Sequence, residues 1–325
     1  MARVLVTGAT GFVGANLVRR LLADGHEVHC TVRPGHATWR IDDIRPDLRL
    51  HVVDLADEDE VRAKVARIRP DWVFHLAAHG AYPAQTNLAE MIRTNVQGTV
   101  NLVEACVAIG FEAFVNTGSS SEYGWKDHAP AETEPLEPNS HYAVTKASAT
   151  QFCRLTGRAH GVRLTTLRLY SVYGPWEEPT RLMPTLIRHG RRGELPPLVD
   201  PDVARDYVYV DDVVEAYLVA ATHDGQELGS VFNVGTGVQT TLRAAVAVAR
   251  RVLGLAAEPI WGSMPNRSWD TTVWVADIRA IGTALGWAPR HGFESGFRRM
   301  VAWFADRPES DWAKVAGYPF RESRG

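Results

Sequence analysis

Short apolar runs recur along the chain at Arg3 to Thr7, Glu27 to Val32, Leu50 to Val53, Trp72 to Ala77, Ala113 to Thr117, Leu164 to Leu169 and Val231 to Val234. Between them the apolar positions follow helical spacing, as at Leu17, Leu21 and Leu22, at Val61, Val65 and Ile68, and at Val96, Val100, Val103 and Val107. Runs of this length, each separated from the next by an amphipathic helix, are what a sheet covered on both faces requires. The alternation predicts an α/β fold built of βαβ units, a doubly wound parallel sheet. After Gly174-Pro175 the rhythm breaks, and prolines gather at 175, 179, 184, 196, 197 and 201. Such punctuation predicts a smaller, less periodic C-terminal part. The run Thr240 to Leu253 has helical spacing and is expected to pack back on the main core, so that the two parts interleave.

Directly after the first run stands Gly8-Ala9-Thr10-Gly11-Phe12-Val13-Gly14, which opens the first helical stripe. Glycines at this spacing, between a strand and a helix, let backbone N–H groups approach a pyrophosphate at the helix N-terminus. The fold is therefore expected to be of the Rossmann type. Residues 1–174 would form an NAD(P)-binding domain with returning segments at about 205–254, and residues 175–325 would be mainly substrate-binding. The second run ends in Thr31-Val32-Arg33, with no carboxylate to hold a ribose 2′-hydroxyl. Arg33 is suited instead to a 2′-phosphate, which points to NADP(H). NAD is the alternative, with Asp42, Asp43 or Asp54 supplying the contact. Asp54 and its neighbour Leu55, just after the third run, are expected on the adenine side.

Composition narrows the partners. The 325 residues are 45% hydrophobic and 22% charged, with a formal net charge of −3, and no long basic run occurs. Neither nucleic acid nor a membrane surface is an expected partner. Cys30, Cys106 and Cys153 are odd in number and lack C-x-x-C spacing, which predicts reduced thiols, no zinc site and a cytoplasmic setting. The chain enters a strand pattern at Val4 and contains no stretch of about 18 apolar residues, so no signal peptide or membrane span is expected.

Tyr142 and Lys146 are four residues apart in a predicted helix, a spacing that puts phenol and ammonium on one face. A cation close to a phenol lowers its pKa and makes it a usable acid or base. A second segment, Asn116-Thr117-Gly118-Ser119-Ser120-Ser121-Glu122-Tyr123-Gly124, leaves the fifth strand at the edge where doubly wound sheets bind ligands. A hydroxyl there can hydrogen-bond a substrate oxygen beside the tyrosine. Tyr82 and Gln85, in the loop after the fourth strand, are expected near the substrate. His75, His79, His141 and Glu90 form no metal-ligand pattern.

With these motifs the chain resembles the extended short-chain dehydrogenase/reductase superfamily, in its nucleotide-sugar epimerase, dehydratase and reductase branch. The likeness runs nearly the whole length. It further includes His75-Leu76-Ala77-Ala78, Asn95 in Thr-Asn-Val-Gln-Gly-Thr, Arg168 to Pro175, Arg205 to Asp212, Asn233 to Gly237 and Leu285-Gly286-Trp287. The resemblance implies cofactor contacts from Gly8, Gly11, Phe12, Val13, Gly14, Leu76, Ala77, Ala78, Asn95 and Lys146. It implies that Tyr142 transfers the proton, that Lys146 holds the nicotinamide ribose, and that Ser119 is the hydroxyl partner. Arg205, and Arg267 within the segment Asn266 to Asp270, would meet a substrate diphosphate. A homodimer through the Tyr142 helix is also implied.

The departures from that pattern bear on the reaction. Dehydratases of this branch carry an acidic pair after the catalytic hydroxyl, where this chain has Ser120 and Ser121, and the nearby Glu122 stands one place late. Ser171 replaces the asparagine common before Val-Tyr-Gly-Pro and is expected to contact the nucleotide or sugar. The first reading is an NAD(P)-dependent oxidoreductase acting at C4 of a nucleotide-diphosphate sugar, as a 4-epimerase or a 4-keto-sugar reductase. The second is a 4,6-dehydratase or uronate decarboxylase using Glu122. The third is a non-catalytic dinucleotide-sensing regulator, against which the presence of both Tyr142 and Lys146 counts.

Overall fold

The computed structural model describes residues 1–307 apart from 36, 83, 226, 268 and 269. Its elements, in chain order, are β1 (Arg3–Thr7), α1 (Phe12–Ala23), β2 (Glu27–Val32), β3 (Arg49–Val52), α2 (Glu58–Ile68), β4 (Trp72–His75), α3 (Leu88–Met91), α4 (Gly98–Ile109) and β5 (Ala113–Ser119). There follow α5 (His141–His160), β6 (Leu164–Leu169), β7 (Ser171–Tyr173), α6 (Leu182–Gly190), β8 (Ala204–Arg205), β9 (Tyr207–Tyr209) and α7 (Val210–Thr222). The last are β10 (Val231–Val234), β11 (Thr240–Thr241), α8 (Leu242–Leu253), α9 (Arg279–Leu285) and α10 (Phe293–Ala305). Among the described residues the central sheet has seven strands in the order β10-β6-β5-β4-β1-β2-β3, and its pairings are parallel. This is the doubly wound Rossmann-type arrangement, and the apolar runs mark its strands because those inside the edge strand β3 are largely buried on both faces.

Helices α1, α7 and α9 cover one face through Leu17, Leu21, Val213, Tyr217, Ile281 and Leu285. On the other face α2 and α4 pack Val61, Val65, Leu102 and Cys106 against Leu5 and Val73. A separate core gathers α6, α8 and α10 around Tyr173, Leu186, Val246 and Phe297. Here the structure corrects two expectations. The helix predicted at Thr240 to Leu253 forms, but its apolar face joins α6 and α10 rather than the sheet. Helix α9, assigned from sequence to the substrate-facing part, lies instead on the sheet. An amphipathic stripe shows which face is buried but not which of two cores receives it. Residues 308–325 of the expected C-terminal part lie outside the described residues, as do Ser268 and Trp269.

No helix among the described residues is long and apolar enough to cross a membrane. Phe297 is wholly buried at the centre of the smaller core. Replacing it with alanine is expected to cost about 3–5 kcal/mol, read by denaturant unfolding; a loss below about 1 kcal/mol would show that this core contributes little to the cooperative unit.

Candidate active site

The dinucleotide loop is built on backbone contact. Gly8 has φ +72°, and a Cβ there would lie 2.6 Å from the backbone of both Leu76 and Ala77 at the end of β4. A Cβ on Gly14 would stand 2.2 Å from the Gly8 carbonyl oxygen, so the turn admits no side chain at either place. Gly11 caps α1 without a side-chain acceptor, and the first turn of α1 carries no acid. The N–H groups at that end are thus suited to an anion, and the cradle fits a dinucleotide pyrophosphate. Phe12 and Val13 are half-buried behind it, and Leu76, Ala77 and Ala78 line the neighbouring strand end.

Arg33 is exposed at the end of β2. Asp54 is already engaged, its oxygens accepting from the Ala56 N–H at 3.0 Å and from Arg93 at 2.8 Å. Leu55 is buried beneath Gly98, where a Cβ would approach within 2.9 Å. Asn95 was expected to touch cofactor, but its amide is spent within the protein. Its Oδ1 accepts from the His79 N–H at 2.8 Å, while Nδ2 donates to the His79 carbonyl at 2.8 Å and to Thr145 Oγ1 at 2.9 Å. The asparagine therefore ties the loop after β4 to α5.

Two arginines not singled out in the sequence meet the segment after β7, and one of them ties it to the glycine loop. Arg40 is buried and donates to the Thr10 carbonyl at 3.3 Å, the Trp176 carbonyl at 2.8 Å and Glu178 at 2.9 Å. Arg19 stacks 4.1 Å over the Trp176 ring. Neither lies in a motif, and nothing local distinguishes a buried arginine from an exposed one.

Strand β5 ends at Ser119, and a single 3-10 turn, Ser120–Tyr123, reverses the chain. Ser119 caps that turn: its Oγ accepts from the Ser121 N–H at 3.2 Å and lies 2.8 Å from Ser121 Oγ. Helix α5 is capped by Ser140, whose Oγ accepts from Ala143 N–H at 3.2 Å. Tyr142 thus enters the first turn of α5, with Ser119 close enough to act on its phenol. Lys146, one turn further along, is 3% exposed.

The electrostatics differ from expectation. Burial pushes the Tyr142 phenol up to about 12, with Ser119 and Arg181 pulling the other way. Burial also lowers Lys146, with Glu122 opposing it. Desolvation of a charged form here outweighs the attraction that spacing alone suggested.

Glu122 is the clearest correction. It is wholly buried and pairs with Arg168 of β6 at 2.8 Å, both side chains being almost inaccessible at 0% and 1%. Its other oxygen accepts from the Ser119 N–H at 2.8 Å and from Thr150 Oγ1 at 3.0 Å. With both oxygens engaged inside the protein, Glu122 does not face a substrate as expected. Ser120 is likewise buried and accepts from Trp274 Nε1 at 3.2 Å; Ser121 stays half-buried beside Ser119.

On the opposite side, Arg205 donates to Asp270 at 2.8 Å, and the Asp270 carboxylate also accepts from the Arg267 N–H at 2.9 Å. The two arginines named from sequence are therefore neighbours. The adjacent Asp206 is structural: it accepts from Thr236, Gly237 and Ala276 N–H groups at 2.7, 2.9 and 3.1 Å. Ser171 is half-buried on β7, its N–H donating to the Asp206 carbonyl at 3.0 Å. Gln85 braces the turn carrying Tyr82, its Oε1 accepting from the Gly80 N–H at 2.9 Å. The Tyr82 phenol lies within the fields of Arg40, Glu178, Arg181 and Glu177, of which Glu177 and Arg181 carry no motif signal.

Fold and site together define a dinucleotide-binding α/β enzyme with Tyr142 and Lys146 one turn apart on α5 and Ser119 at the end of β5. A family model described as NAD dependent epimerase/dehydratase family matches residues 4–235. The chain is 31% identical to a UDP-glucose 4-epimerase of Mycolicibacterium smegmatis, over 94% of this chain and 100% of that protein. It is 28% identical to a dTDP-glucose 4,6-dehydratase of Neisseria meningitidis, over 100% and 99%. Among solved structures, the Thermus thermophilus UDP-glucose 4-epimerase in complex with NAD matches with a TM-score of 0.82 and 30% identity, over 94% of this chain and 100% of that one. The chain belongs to the NAD dependent epimerase/dehydratase family, the nucleotide-sugar branch of the extended short-chain dehydrogenases/reductases.

Replacing Glu122 with glutamine leaves the Arg168 cation buried without its anion. The expected cost is about 3–5 kcal/mol in unfolding free energy, whereas an exposed substrate-facing acid would change stability by less than about 0.5 kcal/mol.

Proposed function

We propose that this chain exchanges hydride at C4 of a nucleotide-diphosphate sugar, as a 4-keto-sugar reductase or a 4-epimerase. The observation that carries the reading is the half-buried Tyr142, close enough to Ser119 to feel its hydroxyl, with the buried Lys146 one turn further along the same helix. A bound nicotinamide supplies the hydride donor or acceptor. Tyr142 holds the proton of the C4 oxygen, Ser119 hydrogen-bonds the same oxygen, and Lys146 fixes the ribose. A protonated phenol is the form that donates to a C4 ketone oxygen, a step that reduction and epimerisation share. Arg205 and Arg267 meet the diphosphate, the Asp270 carboxylate holding the Arg205 guanidinium and the backbone at Arg267.

Elimination finds less support. Ser120 and Ser121 carry no charge to remove a proton, and Glu122 is committed to Arg168. The cofactor is proposed to be NADP(H), because Arg33 is exposed at the end of β2 where no carboxylate stands. The exposed Val144 and Leu155 on the outer face of α5 support a homodimer through that helix.

Two substitutions test the reading on nucleotide sugars presented with either cofactor. Tyr142→Phe is expected to lower kcat by about 10²–10⁴-fold while leaving sugar-nucleotide affinity within a few-fold; unchanged turnover would refute the role. Arg33→Asp is expected to shift preference from NADPH towards NADH by roughly tenfold or more, and an unchanged preference would remove the 2′-phosphate assignment.

A further inference from the structure

The segment that holds Arg205 is joined to the turn that carries Ser119 by a side chain with no part in the proposed hydride step. Residues 270–276 run beside β8 and are fastened along their length. Asp270 accepts from the Arg205 guanidinium at 2.8 Å, and the Thr271 carbonyl accepts from the Ala204 N–H at 2.9 Å. The Trp274 N–H donates to Gln239 Oε1 at 2.9 Å, while Gln239 Nε2 donates to the Thr272 carbonyl at 2.8 Å. The Ala276 N–H donates to Asp206 at 3.1 Å. A backbone tied on both sides of Trp274 presents its indole in a fixed place.

Trp274 is half-buried, and both its ring and its nitrogen have partners. The Arg205 guanidinium carbon lies 5.6 Å from the centre of the ring, within reach of a cation–π contact, and the Tyr170 ring meets it edge-on at 6.5 Å. Trp274 Nε1 donates to Ser120 Oγ at 3.2 Å. An indole nitrogen can only donate, so the Ser120 oxygen is fixed as the acceptor. Ser120 is 6% exposed and directly follows Ser119 in the 3-10 turn that ends β5. From the sheet side the same turn is held by Glu122, which accepts from the Ser119 N–H at 2.8 Å. The turn is therefore anchored twice, to the sheet through Glu122 and to residues 270–276 through Trp274.

We infer that Trp274 is a positioning residue with two tasks: its N–H holds the turn that aims Ser119, and its ring holds the Arg205 guanidinium. The inference rests on the nucleotide-sugar reading, in which Ser119 hydrogen-bonds the C4 oxygen and Arg205 meets the diphosphate. A serine hydroxyl assists proton transfer only within hydrogen-bond reach of the reacting oxygen, so a loosened turn lowers kcat. A guanidinium freed from its ring contact must be ordered again on binding, which weakens the hold on the diphosphate. The two tasks belong to different atoms of one side chain, so two substitutions separate them. Trp274→Phe keeps an aromatic face for Arg205 and loses the N–H, whereas Trp274→Leu loses both.

The test compares the wild type with Trp274→Phe, Trp274→Leu, Ser120→Ala and the double variant Trp274→Phe/Ser120→Ala. Calorimetry with UDP, dTDP, GDP and CDP reads diphosphate affinity and counts the competent sites. Turnover of the 4-keto sugar and glucose conjugates of those nucleotides, with NADPH or NADH, reads KM and kcat per competent site, so unfolded protein does not enter. Trp274→Phe and Ser120→Ala are each expected to lower kcat by roughly threefold to tenfold, with KM and diphosphate affinity as in the wild type. The double variant should lose no more than either single one, the non-additivity of a shared contact. Trp274→Leu is expected to add a loss of diphosphate affinity of roughly threefold to tenfold. The inference is overturned if Trp274→Phe keeps the wild-type kcat or if the two single losses multiply in the double variant. It is also overturned if Trp274→Leu binds diphosphate like the wild type, or if Trp274→Phe loses as much affinity as Trp274→Leu. Wild-type protein that binds no diphosphate, or binds one and turns over no conjugate, removes the nucleotide-sugar reading and this inference with it.

Discussion

The buried pair of Glu122 and Arg168 is the constraint on which the site depends. Two charges taken out of water at 2.8 Å are tolerated only where their remaining hydrogen-bonding groups are met. Both Glu122 oxygens and the Arg168 Nε and Nη1 find partners. Glu122 receives the Ser119 N–H at the end of β5 and the Thr150 hydroxyl of α5. Arg168 on β6 donates to the Tyr123 hydroxyl at 2.8 Å, which in turn donates to Asn233 of β10 at 2.8 Å. The network joins three sheet strands to the helix that carries Tyr142 and Lys146. The end of β5, which carries Ser119, is thereby fastened to the helix that carries Tyr142.

A second set of contacts ties the cofactor side to the substrate side. Gly8 and Gly14 let the first loop touch β4 and its own turn, and Arg40 then fastens that loop to the segment after β7. Asp206 performs the matching task across the cleft, gathering Thr236, Gly237 and Ala276 N–H groups beside Arg205. These buried polar groups are fully hydrogen-bonded, as burial demands, and they hold the two apolar cores in register around the cleft.

Much of this was legible in the sequence because strand burial and glycine geometry are local. The seven apolar runs mark the seven sheet strands, since a parallel strand covered on both faces has no polar alternation to hide it. The glycine loop and the Tyr142/Lys146 pair also announce themselves by fixed spacing. What escaped is tertiary. The burial of Glu122 depends on Arg168, 46 residues away in the chain, and the same holds for Asn95, whose partners His79 and Thr145 come from separate elements. The Tyr142 phenol rises because the fold buries it, an effect that no spacing rule contains. Helix α8 was visible as a helix, yet its choice of core rests on α6 and α10.

The account turns on hydride exchange at C4, and isotopic transfer addresses it directly. Enzyme is mixed with 4-keto nucleotide sugars and with NADPH or NADH carrying deuterium at both C4 positions of the nicotinamide, and the sugar product is analysed by NMR. The account predicts deuterium at C4 of the sugar product from the wild type and none from Tyr142→Phe. Turnover that places no deuterium at C4, or places it at C6, would contradict it.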